Sequence, residues 1–187
     1  MPVRRLFPAV RWLHHAGLLY VPLAPAPLTL IAGPATGSWR GVNENYPAAP
    51  VAAPVFLPVL EHGAAPRGAA SGFAIQACAS AAEADALAAR PAWRVLRNDA
   101  ACQAVRFDDG ALMAVFYERG EISDDAAGGA LLSAGQPCVA LVSRGKLLAA
   151  DPLRSGKPLA FAAGTRRLAV DCPPDGGVSA PLPINLP

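Results

Sequence analysis

The residues best suited to ligand chemistry lie in the polar, glycine-bounded segment 37–45, GSWRGVNEN. Trp39 offers a flat apolar face on which a pyranose ring can stack. Arg40, Asn43 and Asn45 carry hydrogen-bonding groups that can satisfy sugar hydroxyls. We therefore predict these four residues as carbohydrate-binding residues. The alternative is that Trp39 fills the end of a β-sandwich and has only a packing role.

Six residues have side chains that could act as a base in proton abstraction: Tyr20, Tyr46, Tyr117, His14, His15 and His62. Residue type alone predicts no activity, because acid–base groups must converge within hydrogen-bond reach. Neighbours on a strand point to opposite faces, so His14 and His15 cannot bind one metal together. His62 precedes Gly63 and is predicted to be a turn residue with a backbone partner, and Tyr117 a core or rim residue. No catalytic residue is assigned.

The four cysteines do not indicate a metal site. Cys78, Cys102, Cys138 and Cys172 form no CxxC pair, and no histidine lies at zinc-ligand spacing from them. The first three fall within apolar strands, which favours buried thiols that act as small hydrophobic residues. Two disulfides in an oxidising compartment are the alternative. Neither a metal nor a cofactor is predicted.

Composition favours a globular protein with many short strands. The 187 residues suffice for one ordinary domain or two small ones, and 53% are hydrophobic. Twenty prolines and 17 glycines are typical of strands joined by turns. A net charge of +2 gives no reason to expect nucleic acid or an anionic membrane as a partner. Prolines interrupt the apolar part of residues 1–36, which fits neither a signal peptide nor a membrane-spanning helix.

The segment 93–122 is predicted to form the central sheet around which the other elements pack. Strands are expected at 93–97, 101–107 and 111–117, with a tight turn at Asp108-Asp109-Gly110, because an Asp-Gly step supplies the positive φ that a hairpin needs. The segment 111–117 is apolar on both faces, which suits a strand in the middle of a sheet.

One helix is predicted, at 80–89. Ser80 and Glu83 form a capping box in which the serine hydroxyl accepts from the Glu83 amide and the glutamate reaches back to the Ser80 amide. The segment 124–135 is predicted to be a loop, and 173–187 a proline-rich tail, extended or disordered. Further strands are expected, the first three as short or edge strands, at 10–13, 18–21, 28–31, 51–61, 72–79, 138–143, 146–150, 159–163 and 167–172.

Several short motifs, taken in order, resemble one family. They are Arg11-Trp12 with His14-His15, Gly37-Ser38-Trp39 with Asn43, Glu61-His62-Gly63, the run 95–106 and Ala150-Asp151-Pro152. Over about 10–155 the chain resembles the C-terminal part of polysaccharide lyase family 8, which contains hyaluronate, chondroitin AC and xanthan lyases. The segment 75–78 departs from the family pattern, as does Leu153, where the family has threonine.

The resemblance implies an all-β fold with one short helix. Residues 1–76 would be the last strands of the central β-supersandwich, which is galactose mutarotase-like, and 77–172 would be a small C-terminal β-sandwich, followed by the tail 173–187. Family members cleave uronic-acid polysaccharides by β-elimination. Their catalytic Asn, His, Tyr and Arg belong to an α/α toroid of several hundred residues, which this chain is expected to lack. No catalytic residue can therefore be carried over.

The resemblance thus predicts a truncated lyase that is inactive alone and binds polysaccharide, either a glycosaminoglycan or a xanthan-like polymer. One alternative is an active lyase in complex with a separately encoded toroid. Another is a structural remnant whose uncovered strand edges and apolar face would cause aggregation or dimerisation. The family also implies an extracellular or periplasmic location.

Overall fold

The computed structural model describes residues 1–175, 182–184 and 186, and its described part is almost entirely β-structure. It contains one α-helix, α1 (Ala81–Ala89), and two single-turn 3-10 helices, Trp39–Gly41 and Asp125–Ala127. The strands are β1 (Val3–Val10), β2 (Leu13–His15), β3 (Leu18–Pro22), β4 (Ala26–Gly37), β5 (Val51–Leu60), β6 (Phe73–Ala77), β7 (Trp93–Asn98), β8 (Cys102–Phe107), β9 (Leu112–Phe116), β10 (Gly120–Asp124), β11 (Gly129–Ala134), β12 (Cys138–Ser143), β13 (Lys146–Ala150), β14 (Leu159–Ala163), β15 (Arg166–Val170) and β16 (Leu182–Pro183).

The chain divides into two compact units, Met1–Ala89 and Arg90–Pro187. The first unit contains two antiparallel three-stranded sheets, β1-β4-β5 and β2-β3-β6. Strand β3 is short, as one of the two predicted alternatives had it, but it lies in the middle of its sheet. Strand β4 is long and central, so the expectation of a short or edge strand there was wrong, and β1 was not predicted. Pro34 is tolerated in β4 because it lies beyond Ala32, where the pairing with β1 ends and β5 is the only neighbouring strand.

One face of the sheet β1-β4-β5 carries exposed apolar side chains, together with Arg4 and the buried Thr29. In the register of the three strands, Thr29 of β4 lies between Leu6 of β1 and Val59 of β5. Two residues further along β4, Ile31 lies beside Leu57 of β5. Leu6 is 62% exposed and Leu57 51% exposed. We call the surface formed by Leu6, Ile31, Leu57 and Val59 the open face.

Helix α1 begins as its sequence predicts. The Glu83 amide donates to Ser80 Oγ at 3.2 Å, and the Glu83 carboxylate accepts from the Ala79 amide at 2.6 Å rather than from the Ser80 amide. Ala84 is buried against Leu19 of the first unit. The domain boundary expected at 76/77 stays a prediction.

The second unit is a sandwich of a six-stranded sheet, β16-β13-β12-β9-β8-β7, and a four-stranded sheet, β10-β11-β14-β15. All sheet neighbours are antiparallel, and one hydrophobic core contains residues of both sheets. The strands predicted at 93–117 are present, and Gly110 has the expected positive φ of 84°. The hairpin predicted about Arg144-Gly145 is also confirmed.

One expectation in this unit was wrong, and the tail follows the first of its two predicted alternatives, because Leu182–Pro183 is extended. The segment 124–135 is not a loop, because β10 and β11 pair there with Ile122 opposite Leu132. Ile122, Leu131 and Leu132 are completely or almost completely buried, so packing overrides the small, flexible composition of the segment. In the tail, β16 pairs with β13 and Ile184 is buried, so these residues are ordered against the sheet. Residues 176–181, 185 and 187 lie outside the described residues.

The cysteines are thiols, as the preferred interpretation predicted. Cys78, Cys102 and Cys138 are buried and Cys172 is half-buried. Cys102 and Cys138 lie on either side of Phe116 in β9. Within the described part of the chain, no helix combines the length and the apolar character needed to cross a membrane.

Candidate functional site

The predicted carbohydrate-binding residues lie on the segment between β4 and β5, which leaves the sheet as a 3-10 helix at Trp39–Gly41. The amides of Val42 and Asn43 both donate to the Trp39 carbonyl at 3.0 Å. The Tyr46 amide donates to the Asn43 carbonyl at 3.0 Å. These bonds fold residues 38–47 into a compact loop at the end of the longest hairpin in the first unit, and we call it the Trp39 loop.

Trp39 is 59% exposed, so it does not fill the end of a sandwich within the described residues. Its side chain borders a depression of about 300 Å³. Most of the lining is apolar, with polar groups supplied by two hydroxyl residues, and the set is Ala35, Thr36, Gly37, Ser38, Trp39, Val42, Val51, Ala53 and Val55. An exposed indole beside an apolar floor can hold the apolar face of a sugar ring.

The other three predicted residues share the loop and are exposed, but they do not line this depression. Arg40 Nε donates to the Tyr46 carbonyl at 3.4 Å. Asn43 Oδ1 accepts from the Asn45 amide at 3.0 Å, which shapes the turn. The structure therefore places the four residues on one exposed loop, with Trp39 at the depression and Asn43 hydrogen-bonded to Asn45.

The histidines have identifiable structural partners. His14 Nε2 lies 2.9 Å from the Cys78 carbonyl oxygen. The next residue, His15, stacks on Phe56 with 4.1 Å between ring centroids. His62 Nε2 lies 3.1 Å from Ser71 Oγ, so its partner is a side chain and not the backbone. The different partners of His14 and His15 agree with their opposite orientations on β2.

The tyrosines are also distributed. Tyr20 packs on Phe56, and Tyr46 is exposed on the Trp39 loop. Tyr117 belongs to the rim of the second unit, where its hydroxyl donates to Gln103 Oε1 at 3.2 Å. His15 and Tyr20 thus share Phe56 as a packing partner, whereas His14, His62, Tyr46 and Tyr117 have other surroundings.

A polar cluster that sequence reasoning missed lies in the second unit. The Asp124 carboxylate is almost fully buried and accepts from Arg94 and from Arg106, the latter at 3.0 Å. Its other oxygen accepts from the Ala126 amide at 3.1 Å. Arg94 and Arg106 stand directly opposite each other on β7 and β8, and like charges in that position repel unless an anion lies between them. In the sequence, these two arginines on neighbouring predicted strands were the feature that could have indicated a buried carboxylate between them.

Comparison with known proteins identifies the family. The model of "Polysaccharide lyase family 8, super-sandwich domain" matches residues 2–104, more than half of the chain. The chain belongs to polysaccharide lyase family 8. The family's C-terminal beta-sandwich domain matches residues 94–160, which confirms the resemblance and the all-β fold predicted from the sequence. No curated protein sequence matches the chain.

Solved structures of family 8 lyases have the same fold. A chondroitinase AC lyase, described in complexes with oligosaccharides, superimposes with a TM-score of 0.81 at 26% identity, over 96% of this chain and 28% of that one. A Streptomyces coelicolor chondroitin AC lyase gives 0.73 at 23% identity, over 98% and 27% of the two chains. A Paenibacillus xanthan lyase gives 0.75 at 14% identity, over 99% and 21%. The chain therefore spans less than a third of each of these lyases.

Proposed function

We propose that this chain is the β-rich support and carbohydrate-binding part of a lyase that cleaves uronic-acid polysaccharide by β-elimination, and that it does not cleave the polymer alone. Family 8 enzymes that act on chondroitin and xanthan share its fold, but the chain spans only 21–28% of their length. The described residues contain one nine-residue helix and no α/α toroid. The described residues therefore correspond to the β-rich part of such a lyase, and the catalytic α/α toroid implied by the resemblance is not among them.

The observation that carries the binding role is the exposure of Trp39 beside an apolar depression. An exposed indole on a hydrogen-bonded loop with an apolar depression beside it offers a stacking surface for the apolar face of a sugar ring. Arg40, Asn43 and Asn45 at the loop tip supply donors for hydroxyl or carboxylate groups of neighbouring sugar units. The ligand class is a glycosaminoglycan or a xanthan-like polymer. An extracellular or periplasmic location follows from such a substrate.

The test measures binding and cleavage separately. Purified protein is titrated with hyaluronan, chondroitin and xanthan oligosaccharides by calorimetry, and the absorbance of unsaturated uronate is followed in the same mixtures. We expect binding without growth in absorbance. Trp39→Ala should weaken binding roughly threefold to tenfold, because a stacked aromatic ring contributes about 0.5–1.5 kcal/mol beyond its area. The control is Tyr117→Ala, which removes an equally exposed aromatic ring from the second unit.

Two results would overturn this proposal. Equal affinities of Trp39→Ala and the wild type for the oligosaccharides would show that the Trp39 side chain does not contact them. Steady growth in absorbance that is lost on replacing Tyr20, Tyr46 or Tyr117 would show that the chain is itself catalytic.

A second candidate, an active lyase assembled with a separately encoded toroid, is favoured by the open face. A sheet with Leu6 and Leu57 more than half exposed gains stability when another protein surface covers it. Sequencing the reading frame upstream shows whether a toroid is encoded there, and co-expression then tests for a complex with lyase activity. Leu57→Glu should abolish the complex, whereas Ile75→Glu, at an equally exposed position of the other sheet in this unit, should not. Self-association of the chain alone, lost in Leu57→Glu, would instead support the structural remnant.

A further inference from the structure

We propose that the second unit carries its own anion-binding site, formed around Arg94, Arg106 and Arg144, that takes a carboxylate or sulfate group of an acidic polysaccharide. The site is separate from the Trp39 loop and goes beyond the function proposed above. It lies at the end of the sandwich where the β8–β9 turn, the β12–β13 turn and the 3-10 helix Asp125–Ala127 supply residues to two depressions.

The two depressions adjoin because Arg106 and Gly110 line both of them. One has a volume of about 340 Å³ and is lined by Arg94, and the other has about 390 Å³ and is lined by Arg144. Both are mainly polar, in contrast to the floor beside Trp39. Their combined size suits a charged sugar unit and its neighbour.

The buried end of the site holds a half-exposed guanidinium in place. The Asp124 carboxylate accepts hydrogen bonds from both Arg94 and Arg106. The side chain of Arg106 is only 16% exposed, whereas that of Arg94 is 48% exposed and reaches the solvent. A guanidinium has five N–H donors, and Arg94 uses one terminal nitrogen for Asp124. Its remaining donors can bind a second anion with little loss of side-chain entropy, because Asp124 already holds the group.

Arg144 places a further charge at the opposite wall. It is the first residue of the β12–β13 turn and has a φ of 51°, a conformation that costs an arginine more than the asparagine or glycine usual there. Ala16 has the same backbone conformation, so this conformation does not itself indicate a ligand, and what the turn supplies is a charged side chain at the rim of the second depression.

Two carboxylates at the rim define which anions can enter. Asp109 Oδ1 accepts from the Ala111 amide at 2.9 Å, and Asp108 is exposed beside it. Among the described residues, these two and Asp124 are the carboxylates that accompany the three arginines. Binding must therefore come from directed hydrogen bonds to one carboxylate or sulfate rather than from a general positive field. A compact anion held by a forked donor is favoured over a diffuse polyanion.

The experiment titrates the 187-residue protein at low and moderate salt with a hyaluronan decasaccharide, a chondroitin 4-sulfate decasaccharide and neutral dextran of similar length. Nuclear magnetic resonance of arginine Nε–Hε groups gives the dissociation constant and locates the contact. We expect shifts of the Arg94 and Arg144 signals with one or both anionic sugars, and none with dextran. Binding of both sugars identifies the carboxylate as sufficient, and binding of chondroitin sulfate alone identifies the sulfate.

Three variants test the assignment. Arg94→Gln and Arg144→Asn should each weaken binding in this unit roughly threefold to tenfold, and asparagine keeps the turn because it tolerates positive φ. Asp109→Asn removes a rim charge while keeping the Oδ1 acceptor, and it should tighten binding roughly twofold. This gain cannot result from a loss of folding, so the proposal stays testable even if an arginine variant unfolds.

Unchanged arginine signals with every sugar would overturn the proposal, as would equal binding of dextran. The Trp39→Ala variant separates this site from the first one. If that variant loses the binding seen by calorimetry while the arginine shifts persist, the two sites are independent. If the arginine variants bind as the wild type does and Trp39→Ala does not, only the Trp39 loop binds the polymer and the present inference is wrong.

Discussion

Replacing Asp124 by alanine is expected to lower the free energy of unfolding of the second unit by about 4 kcal/mol. The largest part comes from Arg106, because its nearly buried guanidinium would lose the carboxylate that offsets its desolvation. Arg94 contributes little, since exposed ion pairs are worth about 0–1 kcal/mol. The Ala126 amide would also lose its acceptor, which costs about 1 kcal/mol. Asp124→Asn keeps that acceptor and should cost less.

The assay must report on the second unit alone, because a chain with two compact units need not unfold in one step. Hydrogen exchange followed by mass spectrometry gives the opening free energy from peptides covering β9 and β12, in the centre of the six-stranded sheet. Asp125→Ala is the matched control, because Asp125 has an exposed carboxylate and directly follows Asp124, the N-cap of the 3-10 helix. It should change the free energy by less than about 0.5 kcal/mol.

A loss below about 1 kcal/mol for Asp124→Ala would refute the reasoning, because the ion pairs would then be no stronger than surface pairs. The double variant Arg106→Leu with Asp124→Leu gives a second check. It removes both buried charges together and should be less damaging than Asp124→Ala alone, since the nearly buried guanidinium that loses the Asp124 carboxylate is removed as well. A double variant that is clearly less stable than Asp124→Ala would show that packing geometry at these positions, and not the loss of a charge partner, determines the free energy of unfolding.

Two further predictions concern titration. Hydrogen bonds from Ser155 hold the pKa of Asp151 in the folded protein below its ordinary value of 3.8. As the pH falls, the carboxylate is therefore protonated in the unfolded chain before it is protonated in the folded one. The contribution of Asp151 to stability is present above about pH 4 and is lost as the pH falls below that value. Urea unfolding midpoints between pH 6 and pH 3 should fall less steeply for Asp151→Asn than for wild type, and parallel slopes would contradict this. Burial, reinforced by the neighbouring Cys102, raises the pKa of Cys138 to about 12, so Cys138 should stay unmodified by iodoacetamide at pH 8 until urea unfolds the sheet. Peptide mapping of the labelled protein measures this, and rapid labelling of Cys138 in the native state would be the contrary result.

The sequence predicted those strands whose local pattern agrees with their surroundings. The run 93–117 alternates side chains or is apolar on both faces, and its Asp-Gly turn is specific, so β7, β8 and β9 were identifiable. The strands β10 and β11 were not, because only Ile122, Leu131 and Leu132 mark them among small and acidic residues. Their burial depends on the opposite sheet, which local sequence does not describe.

The same limit applied to the candidate sites. Trp39 and its loop could be predicted because glycine, tryptophan and asparagine lie within nine residues of one another. The cluster around Asp124 joins residues 18 and 30 positions apart, so it required the register of β7 with β8 and the presence of β10. A position at the tip of a turn, such as Arg144, likewise acquires its neighbours only from the folded sandwich.

Four alanines, Ala104, Ala114, Ala140 and Ala149, stand side by side across β8, β9, β12 and β13, and all are buried. Such a band of methyl groups leaves a trough across the sheet, and bulky side chains of the opposite layer must occupy it to keep native packing density. The thickness of the sandwich is thus set at this band. A larger residue at any of the four positions would be accommodated only if a side chain of the opposite sheet became smaller. Among divergent relatives, substitutions at these positions should therefore occur together with compensating substitutions in the opposite sheet.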